Sequence, residues 1–154
     1  MDRAKKEGRY SRVHDQLAEL LKKSEDTTAQ MCTINAVLKN KFDYFFWCGF
    51  YCLTPDGRMV VRTYQGPVAC MELKKDTGVC WAGVNQRKTI LVPDVEKFPN
   101  HITCDSRSKS EVVVPVFNAK NEIIGVLDVD SSELNSFDET DALWLEKIIA
   151  LLKK

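Results

Sequence analysis

One cysteine and one histidine fall together in the polar stretch Phe98-Pro99-Asn100-His101-Ile102-Thr103-Cys104-Asp105-Ser106-Arg107-Ser108-Lys109-Ser110-Glu111. Cysteine ordinarily behaves as a small buried hydrophobe, but Cys104 has almost no apolar neighbours along the chain. It has instead His101, Arg107 and Lys109, and nearby positive charge favours the thiolate, the nucleophilic form of sulfur. Cys104 is the candidate nucleophile, and the plain alternative is an exposed spectator thiol. Cys80 and Cys70 are candidate resolving thiols, although spacing says nothing about contact and Cys80, beside Val79, suits a core equally well.

The second set of chemical groups is acidic. Asp128 and Asp130, two residues apart on a strand, share one face. If a tight turn pairs Asn118 with Asn121, counting back brings Glu111 opposite Asp128 on that face, although a one-residue slip undoes the arrangement. Crowded carboxylates repel, and the usual relief is a raised pKa that leaves one of them protonated. Such a group donates a proton to an oxygen leaving a substrate, while its ionised neighbour binds an ammonium. The alternative places Asp128 and Asp130 at a strand end facing water, or capping the Ser131-Ser132 turn.

These side chains must be held by a scaffold that the hydrophobic pattern describes. Val13, Leu17, Leu20 and Leu21 give an amphipathic helix over 10–23. A second begins at Thr27-Thr28-Ala29-Gln30, which has the form of a capping box, and Cys32 within it reads as a buried thiol. Tyr44–Leu53 is an aromatic strand, returned by the turn Thr54-Pro55-Asp56-Gly57 to a strand over 58–64. Alternation puts Trp47, Gly49 and Tyr51 on one face and Cys48, Phe50 and Cys52 on the other. Either both faces are core, or Gly49 opens space between Trp47 and Tyr51 for a small ligand against two aromatic walls. A short helix starts near Gly78, a brief strand covers 89–93, and a long loop over 94–110 carries Cys104. Strands over 111–118 and 122–130 form the clearest hairpin, and a capping box at Ser136-Phe137-Asp138-Glu139 opens a C-terminal helix.

Composition bounds the function. At 154 residues, 44% hydrophobic and 29% charged, the chain reads as one globular domain: helices over 1–42, sheet and active-site loops over 43–135, and the terminal helix over 136–154. Lys+Arg and Asp+Glu both number 22, so no global field exists to attract nucleic acid or an anionic membrane. The charged N-terminus and the lack of a membrane-length apolar run point to a cytoplasmic protein. In that reducing setting the six cysteines read as free, metal-bound or catalytic, and no C-x-x-C pair supports zinc.

Over these same residues the chain resembles the free methionine-(R)-sulfoxide reductases, single-domain enzymes of the GAF fold. The matching stretches are Trp47-Cys48-Gly49-Phe50-Tyr51, Gln65-Gly66-Pro67-Val68-Ala69-Cys70, Gly78-Val79-Cys80, Val92-Pro93-Asp94-Val95, Phe98 to Ser106, Ser110-Glu111 and Gly125 to Ser131. Ordinary GAF ligand-binding domains lack this set. The resemblance implies an α/β (α+β) fold, with a central antiparallel sheet, terminal helices on one face and active-site loops on the other. It implies that Cys104 attacks the sulfoxide sulfur, giving methionine and a sulfenic acid, that Cys80 then closes a disulfide with Cys104, and that Cys70 is a secondary resolving thiol. Thioredoxin or a related dithiol would restore the thiols, with no bound cofactor or metal, and GAF domains often pair as homodimers through terminal helices. Trp47 and Tyr51 match the family's aromatic pocket for the methyl-sulfur end. Glu111, Asp128 and Asp130 match the carboxylates that hold the sulfoxide oxygen and the amino group. Two departures stand out: Trp81 follows Cys80 where glycine is commoner, and Asn100 replaces a common glycine. The rival classes are a non-catalytic GAF sensor, which would bind a metabolite without turnover, and a structural zinc protein.

Overall fold

Six strands form one antiparallel sheet in the order β3-β2-β1-β6-β5-β4, with helices on both faces. The computed structural model describes residues 1–101 and 104–153, so Ile102 and Thr103 of the matched stretch lie outside the described residues. The elements are α1 (Arg3–Leu20), α2 (Thr27–Lys41), β1 (Trp47–Leu53), β2 (Met59–Gln65), β3 (Glu72–Leu73), α3 (Gly78–Gln86), β4 (Ile90–Val92), β5 (Ser110–Phe117), β6 (Ile123–Ser131) and α4 (Glu139–Ile149).

Alternation along the strands divides the core in two. Cys48, Phe50 and Cys52 of β1, Val112, Val114 and Val116 of β5, and Leu127 and Val129 of β6 point toward α1, α2 and α4. They pack there against Tyr10, Leu17, Ile34, Leu38, Leu145 and Ile148, all fully buried. Each such side chain contributes about 1.5–3 kcal/mol by leaving water, so this layer is the main source of stability. The helices are tied by a buried polar knot: Lys6 Nζ donates to Asp141 Oδ2 at 2.7 Å, and the Tyr10 and Tyr44 hydroxyls donate to Asp141 Oδ1 at 2.7 Å. Trp47, Tyr51, Val113 and Val126 point to the opposite face, which α3 and the loops cover.

The helix starts differ from those read off the sequence. Asp26 caps α2 by accepting from Ala29 N, whereas Gln30 turns away to donate to the Leu21 and Ser24 carbonyls. Asp138, not Ser136, caps α4, with Asp141 completing the reciprocal box. In both cases a carboxylate lies close to the expected cap and accepts the orphan N–H groups with a full charge. Cys32 is exposed rather than buried, its sulfur 3.1 Å from Thr63 Oγ1.

Register decides where the acids fall. Glu111 pairs with Asp130, and Asp128 pairs with Val113, so the expected Glu111–Asp128 pairing is displaced by two residues. Asn121 N donates to Asn118 O, but Asn118 N donates to Glu122 O, so the strands close on Glu122 and the turn is one residue longer. An irregularity between Val116 and Phe117 adds the second. Two single slips cancel in parity, so Glu111, Asp128 and Asp130 still share a face.

Candidate active site

Gly49 allows the aromatic wall to assemble. A side chain there would put its Cβ 2.6 Å from Trp47 Cη2 and into Tyr64, its partner on β2, so only glycine lets the indole fold back across β1. Trp47 then stacks on Tyr64 at 5.2 Å between centroids and on Tyr51 at 5.8 Å. The space above Gly49 thus holds the indole of Trp47, and of the two alternatives for this face the structure gives a continuous three-ring wall whose Trp47 and Tyr51 rings also line the cavity. Tyr64 was not among the sequence candidates, although an aromatic opposite a strand glycine is a recognised pairing. Gly49→Ala is expected to push Trp47 out of the stack and to cost both stability and at least about tenfold in activity, measurable by thermal unfolding and turnover. Normal values for both would show that the wall tolerates displacement.

A second close approach places Cys80. At Gly83 a Cβ would lie 2.9 Å from Val113 Cγ1, so glycine lets α3 press onto β5. Cys80, one turn earlier on the same helix, is thereby lowered onto the acidic floor. The Cys80 thiol and the Glu111 and Asp128 carboxylates bring their donor atoms within 4.8 Å of one another, all three buried. Among the described residues this is the one group of three such donors close enough to share a metal ion.

The floor is built to hold protons. Burial drives the Glu111 carboxyl well above the usual carboxylate range, and the charges of Asp128 and Asp130 drive it further. Asp128 is also raised by burial, but hydrogen bonds from Glu111 and Cys80 oppose the rise, which makes it the group that accepts. Its Oδ1 is buried with no hydrogen-bond partner. Asp130 sits partly exposed at the cavity edge, and burial of its carboxyl, then Asp128 and Asp105, push it up. Burial, then Asp128 and Glu111, raise the Cys80 thiol, so it stays protonated. For Asp128 the alternative of a water-facing acid at a strand end is overturned, since it is 7% exposed, whereas Asp130 is half-buried.

The loop carrying Cys104 closes over this floor. Asn100 has φ +58°, a left-handed conformation that asparagine tolerates and that explains how it stands where glycine is commoner. The far end of the loop is anchored where Lys109 N donates to Ser131 O at 2.8 Å and Ser136 N donates to Ser110 Oγ at 3.3 Å. The Arg107 guanidinium is engaged with neighbours other than the thiol. Arg107 grips Asp105 with two nitrogens, at 3.0 and 2.7 Å, and lies over the Phe46 ring at 5.0 Å. That grip holds Asp105 down to about 2. His101 faces Glu111, Nε2 to Oε1 3.9 Å, and burial lowers its pKa, which favours the neutral imidazole.

One cavity is lined by Trp47, Tyr51, Cys80, Cys104, Glu111, Asp128 and Asp130, so those candidates from the sequence converge. Phe46, at its rim, was missed. Cys104 is bonded to Cys70, with Cα atoms 5.5 Å apart, and Cys80 is a free buried thiol. The expected Cys80–Cys104 disulfide is therefore corrected to Cys70–Cys104. The reason is positional: α3 commits Cys80 to the floor, whereas Cys70 lies on the rim loop before β3. Trp81 is buried and donates Nε1–H to Leu73 O at 3.3 Å, which anchors α3 to β3 and leaves the Cys80 position undisturbed.

A GAF domain family model matches residues 22–152. GAF domain-containing protein A of Dictyostelium discoideum is 45% identical over 152 residues, 99% of this chain and 95% of that protein. The free methionine-R-sulfoxide reductase of Escherichia coli is 36% identical over 126 residues, covering 82% of this chain and 75% of the relative. The solved structure of free methionine-R-sulfoxide reductase from Neisseria meningitidis, in complex with its substrate, has a TM-score of 0.89 at 39% identity, covering 94% of this chain and 86% of that one. An antiparallel GAF sheet with a thiol loop closed over buried acids, and likeness to those enzymes along most of its length, lead to one placement: the chain belongs to the free methionine-R-sulfoxide reductase family of GAF domains.

Proposed function

We propose that this protein reduces free L-methionine (R)-S-oxide to L-methionine, with Cys104 as nucleophile, Cys70 as the main resolving thiol and thioredoxin or a related dithiol as external reductant. The observation that carries the reading is the Cys70–Cys104 bridge, whose Cys104 lines one cavity with Glu111, Asp128 and Asp130.

The steps follow from the geometry. The methyl-sulfur end of the substrate packs on the wall made by Trp47 and Tyr51, and its ammonium meets the unpartnered Asp128 Oδ1. A peptide-bound residue offers an uncharged amide in place of that ammonium, so burial beside the carboxylates favours the free amino acid. Glu111, protonated, donates to the sulfoxide oxygen and makes the sulfur electrophilic. Cys104 Sγ attacks that sulfur, the protonated oxygen then passes from the substrate sulfur to Cys104 Sγ as the transient S–S bond and the S–O bond of the substrate break, and methionine leaves with Cys104 as a sulfenic acid. The Cys70 thiol displaces this oxygen as water, forming the disulfide, and an external dithiol reduces it by exchange. No bound cofactor or metal is required, and Cys80 serves as a protonated donor to Asp128. The same reading takes residues 1–154 as one GAF domain acting in the cytoplasm and pairing as a homodimer through its terminal helices. Four free cysteines fit a reducing compartment, and among the described residues no helix is long and apolar enough to cross a membrane.

Cys70→Ser tests the assignment. It is expected to release one methionine per chain and then stall, with a sulfenic acid on Cys104 that dimedone traps and mass spectrometry locates. Sustained thioredoxin-driven turnover in Cys70→Ser, together with its loss in Cys80→Ser, would transfer the resolving role to Cys80.

A further inference from the structure

The aromatic wall also holds the rim loop. Tyr51 Oη donates to Cys70 O at 2.8 Å, and Trp47 Nε1 donates to Pro67 O at 3.1 Å. A third bond, from Val61 N to Met71 O at 2.9 Å, fixes the end of the segment where it enters β3. Side-chain packing retains this loop only in part: Ala69 and Cys70 are half-buried against the cluster around Trp47 and Tyr51, while Val68 and Met71 are 84% and 78% exposed. Once the disulfide is reduced, its tether to Cys104 is gone, and the backbone of the resolving cysteine is fixed in direction by the hydrogen bonds to β1 and β2. The bond at Cys70 itself comes from Tyr51, whose ring is 3% exposed and whose phenol burial keeps protonated, so the donor persists over the working pH range.

We infer that Tyr51 is a positioning residue for the second step: its hydroxyl holds the Cys70 backbone where the Cys70 sulfur meets the Cys104 sulfenic acid. This rests on the roles proposed above for Cys104 and Cys70 and adds a function to a ring that otherwise only contacts the substrate. The step balances as written: the Cys70 S–H proton and the sulfenic hydroxyl leave as water while the S–S bond forms. A resolving thiol released from its hydrogen bond samples many positions, and the fraction near the sulfenic acid falls. One hydrogen bond of this kind, worth about 1.4 kcal/mol, corresponds to about tenfold in rate.

The test follows a single turnover of pre-reduced Tyr51→Phe, which keeps the ring and removes the hydroxyl. Methionine release is measured by quenched flow, sulfenic acid by dimedone trapping and disulfide by loss of free thiol. The expected result is one methionine per chain, with a sulfenic acid lifetime extended about tenfold toward that of Cys70→Ser. Any slowing of methionine release should be smaller than the slowing of closure. Closure at the wild-type rate would overturn the inference, as would equal slowing of both steps, which marks a general structural role. Absence of any methionine from both Tyr51→Phe and the wild type would instead refute the proposed function.

Discussion

Cys104→Ser is expected to reduce methionine formation by more than about a thousandfold while leaving the fold intact. A serine hydroxyl at neutral pH is a far weaker nucleophile than a thiol. The substitution is exposed and removes no buried contact, so thermal stability of the reduced protein should be close to that of reduced wild type. In the oxidised protein the variant loses a cross-link spanning 34 residues, and oxidised wild type should therefore be the more stable of the two. Retained turnover in Cys104→Ser would move the nucleophile to another sulfur, and Cys80 is the one other cysteine lining the cavity.

Glu111→Gln is expected to lower kcat/KM about a hundredfold to a thousandfold and, at the same time, to stabilise the protein. The loss follows from general acid catalysis, since an amide has no proton to give to the sulfoxide oxygen. Wild-type activity should fall as pH rises through the raised pKa of Glu111, and that alkaline limb should be absent from the residual activity of the variant. The gain in stability has a definite sign. Below the ordinary carboxylate pKa, Glu111 is protonated in both folded and unfolded chains and costs nothing. Above it the unfolded chain loses its proton while the folded chain keeps one, so unfolding gains about 1.4 kcal/mol per pH unit until the raised folded pKa is reached. Glutamine removes that penalty, and thermal unfolding at pH 8 should show a higher midpoint for the variant than for wild type. A variant that is inactive and also less stable would indicate that Glu111 is held mainly by its contacts.

How much of this was legible in the sequence depended on which rule decided each feature. The sheet faces were, because alternation is imposed by the pleat: Trp47 and Tyr51 on one side, Cys48, Phe50 and Cys52 on the other, as observed. The acidic cluster was legible in membership but not in pairing. A longer turn and an irregularity before Phe117 each shifted the register by one, and only parity preserved the shared face. Helix caps were misplaced wherever an aspartate lay near the threonine or serine first chosen. The bridge was the least legible part, because contact between Cys70 and Cys104 depends on a rim loop whose path local propensity does not determine. Cys80 lies closer in sequence to Cys104, yet the approach of Gly83 to Val113 fixes it to the sheet. Gly49 was noticed for the room it makes, but the occupant is Trp47's own ring, a fact that needs side-chain directions rather than spacing.

Methionine release from the two separated epimers of the free sulfoxide, run beside a peptide-bound (R)-sulfoxide with thioredoxin, its reductase and NADPH present, tests the whole account. Release from the free (R) epimer alone, absent when Cys104→Ser replaces wild type, is the predicted result. Release from the peptide, preference for the (S) epimer, or no release from any of the three would contradict it.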